Sequence, residues 1–232
     1  VNQYHINVVR LKAVSNALEK LHEEVVFVGG AVLSLYADKP IVDIRNTNDI
    51  DVIIDILSYS HRVKIEEKLR NIGFQNDIAS GIVCRYKIRG LVVDIMPTND
   101  SSIGFRNIWY EEAFSKAIKI ELDERMSIKI PTALHFIATK FEAFKSRGQY
   151  DGYSSHDFED IVFILQNRSM IWKEMSEIKG ELEFYLLKSF NELLNHPLIF
   201  DWIEGNVDHT LESNATENII KGLKNFTKNY KE

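Results

Sequence analysis

The sequence predicts an α+β protein: a mixed sheet flanked by helices over residues 1–130, followed by a helical bundle over 131–232. Three observations predict it. Short apolar runs of strand character, Val25–Val28, Asp49–Ile56, Ile82–Ile88 and Leu91–Met96, alternate with helical periodicity in the first half. Glycine and proline punctuate the ends of those runs. After two further strand candidates, the alternation stops near residue 130, and from Pro131 onward apolar residues recur only at helical spacing.

The elements follow in order. Residues 5–22 predict an amphipathic helix from the spacing of Ile6, Val9, Leu11, Val14, Leu18 and Leu21. Val25–Val28 reads as a buried strand that Gly29-Gly30 ends, and a helix begins over Ala31–Tyr36, closed by Pro40. Asp49–Ile56 is the next strand, and a helix over about Ser60–Asn71 stops at Gly73. Ile82–Ile88 and Leu91–Met96 form a strand pair joined by a tight hairpin at Arg89-Gly90, and Pro97 ends the second strand. Residues 98–112 read as a loop with a short helix, ahead of strands Ala117–Leu122 and Met126–Ile130. Pro131-Thr132 opens a long helix carrying Leu134, Ile137, Phe141 and Phe144. Ser146–Ser155 reads as a loop, its basic-aromatic part Lys145–Tyr150 as flexible, and helices are expected at 156–167, 170–194, 197–204 and 215–230.

Composition narrows the class. Hydrophobic content of 45% and aromatic content of 11% belong to a globular chain rather than a disordered one. Apolar stretches fall short of the roughly 18–20 residues of a membrane span. Val1–His5 lacks the basic start and apolar core of a signal peptide. Cys84 is the only cysteine, which excludes intramolecular disulfides and a four-cysteine zinc site. A cytoplasmic protein without membrane partners is expected. The formal charge of −6 argues against a coat of positive potential for nonspecific nucleic-acid binding, though a local basic groove remains compatible with it. The seven histidines show no zinc spacing, and His135 reads as a packing residue. Trp109, Tyr110 and Phe114 read as core.

The chemistry is carried by acidic residues in apolar strands. Residues i and i+2 of a strand project to one face, so Asp49 and Asp51 stand together with Ile50 turned inward. Adjacent carboxylates repel, and a divalent cation is the usual remedy. Asp94, inside Leu91-Val92-Val93-Asp94-Ile95-Met96, also needs a partner to offset its desolvation. Three carboxylates on neighbouring strands match two-metal nucleotidyl transfer, where magnesium ions about 4 Å apart activate the attacking oxygen and steady the leaving one. Gly29-Gly30, at a helix start, permits close approach of triphosphate oxygens to backbone N–H groups. Each feature alone has an ordinary explanation, a turn or a solvated strand end. Their joint occurrence in this order does not.

At Gly29-Gly30, Asp49-Ile50-Asp51 and Asp94 the chain resembles the DNA polymerase β-like nucleotidyltransferase superfamily. Phe27–Val32 also looks like the opening of tRNA CCA-adding enzymes, without their extended motifs. The closer resemblance, over approximately residues 25–165, is to AbiE-type toxin nucleotidyltransferases. It rests on Arg45-Asn46-Thr47-Asn48-Asp49-Ile50-Asp51, on Thr139-Lys140-Phe141-Glu142-Ala143, and on His156-Asp157-Phe158-Glu159-Asp160-Ile161. Two departures stand out: His156 replaces a common Lys or Arg, and Gly30 a common Ser.

The resemblance implies a catalytic domain over 1–130 and a helical domain over 131–232 that completes the active-site cleft. It implies two Mg2+ ions, bridged by Asp49 and Asp51 with Asp94 on the catalytic one, and a nucleoside triphosphate as substrate. Lys140 would neutralise its β/γ-phosphates. Asp157 and Asp160 would orient Lys140, contact the nucleotide or cap their helix, while Arg45 and Thr47 would shape the loop before the metal site, with nucleotide phosphate contact a weaker option. A tRNA or protein acceptor and an antitoxin partner are implied, with the Lys145–Tyr150 loop a weaker candidate for RNA contact. An aminoglycoside-type small-molecule transferase and a non-catalytic nucleotide-binding regulatory module are the alternatives.

Overall fold

The computed structural model describes residues 3–38, 45, 47–56, 58–99, 107–228 and 230. Pro40 and part of the 98–112 loop lie outside them. The chain divides into two compact units, Val1–Leu35 with Ile41–Thr132, and Tyr36–Pro40 with Ala133–Glu232. The class is α+β: the first unit is mixed and the second helical.

In the first unit, α1 (Gln3–Ala17) runs into a 3-10 turn at Glu19–Glu24 and then β1 (Val25–Val28). The buried face of α1 is Asn7, Leu11, Val14, Ser15 and Leu18 beyond its end. Val9, expected on that face, is 65% exposed. At about 3.6 residues per turn it lies opposite Asn7 and Leu11, so the phase of the helix puts a polar Asn inside and a valine outside.

The main sheet has the order β1-β2-β5-β4-β3 among the described residues. Its strands are β2 (Asp49–Ile54), β3 (Gln75–Asn76), β4 (Arg85–Ile88) and β5 (Leu91–Pro97), with α2 (Tyr59–Asn71) between β2 and β3. β2 pairs antiparallel with β1 and parallel with β5, and β4 pairs antiparallel with β5. β1 is buried throughout, as are Ile50 and Val52–Ile54, while Asp49 and Asp51 of β2 stay partly exposed. α2 begins where Ser58 Oγ accepts the His61 N–H at 3.2 Å and ends ahead of Gly73, whose φ of 98° only glycine adopts readily. The hairpin at Arg89-Gly90 has φ of 49° and 80°, the two left-handed positions of a two-residue turn. β4 starts at Arg85 rather than Ile82, because Arg85 N–H closes a turn on the Ile82 carbonyl at 3.2 Å and leaves Ile82 and Val83 exposed. β3 was not expected: two exposed polar residues at a sheet edge carry no hydrophobic alternation. α3 (Tyr110–Ser115) follows, then the separate hairpin of β6 (Ile118–Asp123) and β7 (Met126–Ile130). Tyr110 and Phe114 pack on the Val26, Val28, Ile53 and Ala113 core, and Trp109 is buried.

The second unit holds α4 (Ala133–Ser146), α5 (His156–Asn167), α6 (Ile171–Glu177), α7 (Glu181–Leu194), α8 (Ile199–Glu204) and α9 (Ala215–Thr227). The single helix expected over 170–194 is two, broken at Gly180 with φ of 86°. Phe136, Phe141, Phe144, Phe158 and Phe190 are fully buried in its core. The short segment from Tyr36 belongs here by contact: its ring lies 4.9 Å from Phe136, and Asp38 accepts the Ser169 hydroxyl at 2.7 Å. The loop after α4 is packed rather than flexible. Tyr150 stacks on Phe144 at 4.7 Å, and a Cβ on Gly152 would meet the Trp202 ring at 2.4 Å. Among the described residues, no helix is long and apolar enough to cross a membrane.

Candidate functional site

Register brings the acidic residues together. Asp51 stands directly opposite Asp94 in the parallel β2–β5 pair, and Asp94 opposite Arg85 in the antiparallel β5–β4 pair. Side chains at paired positions leave the sheet on one face, and Asp49 shares it by strand alternation. Asp49, Asp51, Asp94 and Arg85 therefore project to the same side.

Arg85 ties two of the carboxylates. Its Nε donates to Asp94 Oδ1 at 2.8 Å, and its Nη2 donates to Asp94 Oδ2 at 2.7 Å and to Asp49 Oδ2 at 2.9 Å. This is the two-pronged Arg–carboxylate geometry, extended to a second acid. The hydrogen bonds to Asp94 raise the Arg85 guanidinium further above its already high range. Next to it, the Cys84 thiol is pushed up to about 11, by burial first and then by the negative charge of Asp94. A thiol in that field stays protonated at neutral pH and is no nucleophile.

The glycine pair is shaped by the same acids. Gly29 has φ of +72°, and a Cβ there would lie 1.9 Å from Asp51 Oδ2. Glycine is required twice over, by backbone conformation and by the carboxylate packed on it. A Cβ on Gly30 would meet Thr47 Cγ2 at 2.6 Å and Arg45 Nη2 at 2.7 Å. Thr47 is 6% exposed, and its hydroxyl has no hydrogen-bond partner among the described residues. Arg10, from α1, donates to the Thr47 and Asn48 carbonyls and so holds the chain entering β2. The helix expected after the glycines is a 3-10 helix, Gly30–Tyr36. Its poorer hydrogen-bond geometry and short run provide little dipole, so an anion there would depend on Arg45 and Thr47.

Hard oxygen donors on one face suit a divalent cation such as magnesium in type and in direction. As the side chains stand, no three His, Cys, Asp or Glu residues converge closely enough to hold a metal ion among the described residues. The positive charge between Asp49 and Asp94 is the Arg85 guanidinium.

The remaining expected residues lie in the helical unit. Lys140 Nζ, from α4, contacts Asp157 Oδ1 at 3.0 Å and Asp160 Oδ2 at 2.5 Å, both on α5. Arg147 adds a two-pronged pair to Asp157, through Nε at 2.8 Å and Nη2 at 2.9 Å. Burial alone would raise the Asp157 carboxyl, but Arg147 and Lys140 hold it down to about 2. Burial alone would lower the Lys140 amine, but Asp160 and Asp157 keep it above its ordinary value. The Lys140 amine, expected to neutralise triphosphate oxygens, is buried and held by these two carboxylates, the orienting contact expected of Asp157 and Asp160. Capping of α5 falls to Ser155, whose hydroxyl accepts the Phe158 N–H at 3.3 Å, so Asp157 and Asp160 are not the caps. His156 is exposed and pairs with Glu159 at 3.0 Å, and the positive charges on Asp157 are those of Lys140 and Arg147.

The sequence reading does not single out Arg85 or Arg10, and it places Arg147 in a loop for RNA contact rather than against Asp157. Only Arg85 had a usable signal. A two-residue turn at Arg89-Gly90 pairs Ile88 with Leu91 and, counting back, Arg85 with Asp94. The chain matches no protein-family model, and no curated protein is significantly similar to it.

Proposed function

We propose that this protein is a divalent-metal-dependent nucleotidyltransferase, moving a nucleoside monophosphate from a nucleoside triphosphate to an acceptor hydroxyl on tRNA or protein. The observation that carries the reading is the β2–β5 register, with Asp51 opposite Asp94 and Asp49 on the same face, beside a glycine turn on which Asp51 itself is packed. Asp49, Asp51 and Asp94 would hold the magnesium ions. When bound, those ions supply charge neutralisation for attack of the acceptor oxygen on the α-phosphate, with pyrophosphate leaving. Gly29 and Gly30 keep side chains away from the backbone that phosphate oxygens would approach. Arg45 brings a guanidinium against Gly30, and the Thr47 hydroxyl offers a buried donor for a phosphate oxygen. Arg10 fixes the carbonyls ahead of Asp49, so the acids keep their aim. Lys140 acts by position: it joins α4 to α5 through Asp157 and Asp160. The motif resemblance makes the toxin of a toxin–antitoxin pair the physiological setting.

One observation favours a second reading, a nucleotide-binding regulatory module without catalysis: Arg85 already neutralises two of the three acids. The discriminating experiment supplies each labelled nucleoside triphosphate with magnesium and either total tRNA, cell protein or aminoglycosides. Label transferred to tRNA or protein, and reduced at least about a thousandfold in Asp49→Ala and Asp51→Ala, is expected. Transfer to aminoglycosides alone selects the small-molecule enzyme. No transfer to any acceptor, with nucleotide still bound, selects the regulatory module.

A further inference from the structure

The acidic face of the sheet is already served by a cation of the protein's own. Both oxygens of Asp94 and one of Asp49 accept from Arg85 at 2.7–2.9 Å. A divalent ion on this face requires oxygens from the same set. Asp94 has both oxygens in the fork, so a dication that takes Asp94 as a ligand meets the guanidinium within about 4 Å, where like charges repel strongly in a partly desolvated site. The backbone at Arg85 is held by pairing to β5 opposite Asp94, so only its side chain is free to leave. A route exists, since that side chain is 22% exposed.

We infer that Arg85 is an exchangeable internal counter-cation: a divalent metal binding at Asp49, Asp51 and Asp94 displaces its guanidinium from Asp49 and Asp94, and this competition sets the metal affinity of the resting protein. The inference rests on the metal-dependent reading above, in taking this face as the place where metal binds. It explains how Asp49 and Asp94 share one face without a metal, and why the acids do not close into a chelate as they stand. Metal affinity is reduced by the fraction of time the fork occupies the acids, as for any ligand that selects a minor state.

The test is Mn2+ binding to this chain without nucleotide, read from the electron paramagnetic resonance signal of the free ion. Arg85→Gln is expected to bind Mn2+ at least about tenfold more tightly than the unsubstituted protein, the scale of one lost charge-assisted contact. Arg85→Lys, which keeps a charge without the planar fork, falls between them. Adding Asp51→Asn to Arg85→Gln removes the tight binding. Lys87→Gln serves as the control for net charge: Lys87 lies two residues along the same strand and pairs with Asp77 at 2.9 Å. It is expected to change Mn2+ affinity less than about threefold, as a screened surface charge does. Without metal, Arg85→Gln also unfolds at a lower temperature than the unsubstituted protein, and Mn2+ raises its midpoint by more. Equal or weaker Mn2+ binding in both Arg85 variants overturns the inference and leaves the transferase reading standing. An equal gain in Lys87→Gln overturns it too, by reducing the effect to net charge. Absence of Mn2+ binding in every variant overturns the metal-dependent reading itself. If Arg85→Gln does not fold, Arg85→Lys carries the comparison alone.

Discussion

At the scale of single residues, Gly29 is where backbone and site chemistry meet. Its φ of +72° costs an L-residue about 1–2 kcal/mol, and a methyl group there would be driven into the Asp51 carboxylate at 1.9 Å. Gly29→Ala is therefore expected to lower stability by at least about 2 kcal/mol in urea denaturation and to abolish the proposed nucleotidyl transfer. The second effect follows because Asp51 must turn away to admit the Cβ. A stability change under about 0.5 kcal/mol would show that neither the backbone conformation nor the carboxylate resists the added methyl group. The need for glycine could be suspected from Gly29-Gly30 at a strand end. Its cause, an oxygen two strands' pairing away from the turn, could not, because it depends on the β1–β2 register that sets Val28 opposite Asp51.

At the scale of elements, the joint between α4 and α5 is an ion cluster rather than an apolar seam alone. Lys140 is enclosed with Asp157 and Asp160, the latter 0% exposed. Removing one partner of a buried pair leaves an uncompensated charge, which costs about 3–5 kcal/mol. Lys140→Met is expected to destabilise by that amount in urea denaturation. Lys140→Met combined with Asp160→Leu should recover part of the loss, since replacing both partners leaves no lone charge at that contact. If the single variant costs less than about 1 kcal/mol, the cluster is wetter than its geometry implies. Helix periodicity places Asp157 and Asp160 on one face of α5, one turn apart. Arg147 joins them only because the turn after α4 folds back, with Tyr150 stacked on Phe144, so its part was invisible in a stretch read as flexible.

At the scale of the whole molecule, the same cluster contributes to the chain's response to acid. Asp157 is held at about 2, below the ordinary carboxyl value of 3.8. A depressed pKa stabilises the folded state fully above about pH 4, and that contribution disappears as pH falls through about 2. The loss expected from this group is about 2 kcal/mol, read as a falling denaturation midpoint between pH 4 and pH 2. Asp157→Asn should flatten that part of the profile, while lowering stability at neutral pH. An unchanged slope in Asp157→Asn would assign the acid response to other carboxylates.

Period and punctuation were enough to read most of the elements and the facing of the acids. Alternation in β2 aims Asp49 and Asp51 together, and the Arg89-Gly90 turn dictates which residues of β4 and β5 oppose each other. These are local facts, set by backbone geometry within a few residues. Long-range pairing supplied the rest. The parallel match of Asp51 to Asp94 spans 43 residues of sequence, and the attachment of Tyr36 to Phe136 spans 100. Nothing in a short window encodes such a partner, because it is chosen by which apolar faces exclude water together once the whole chain has collapsed.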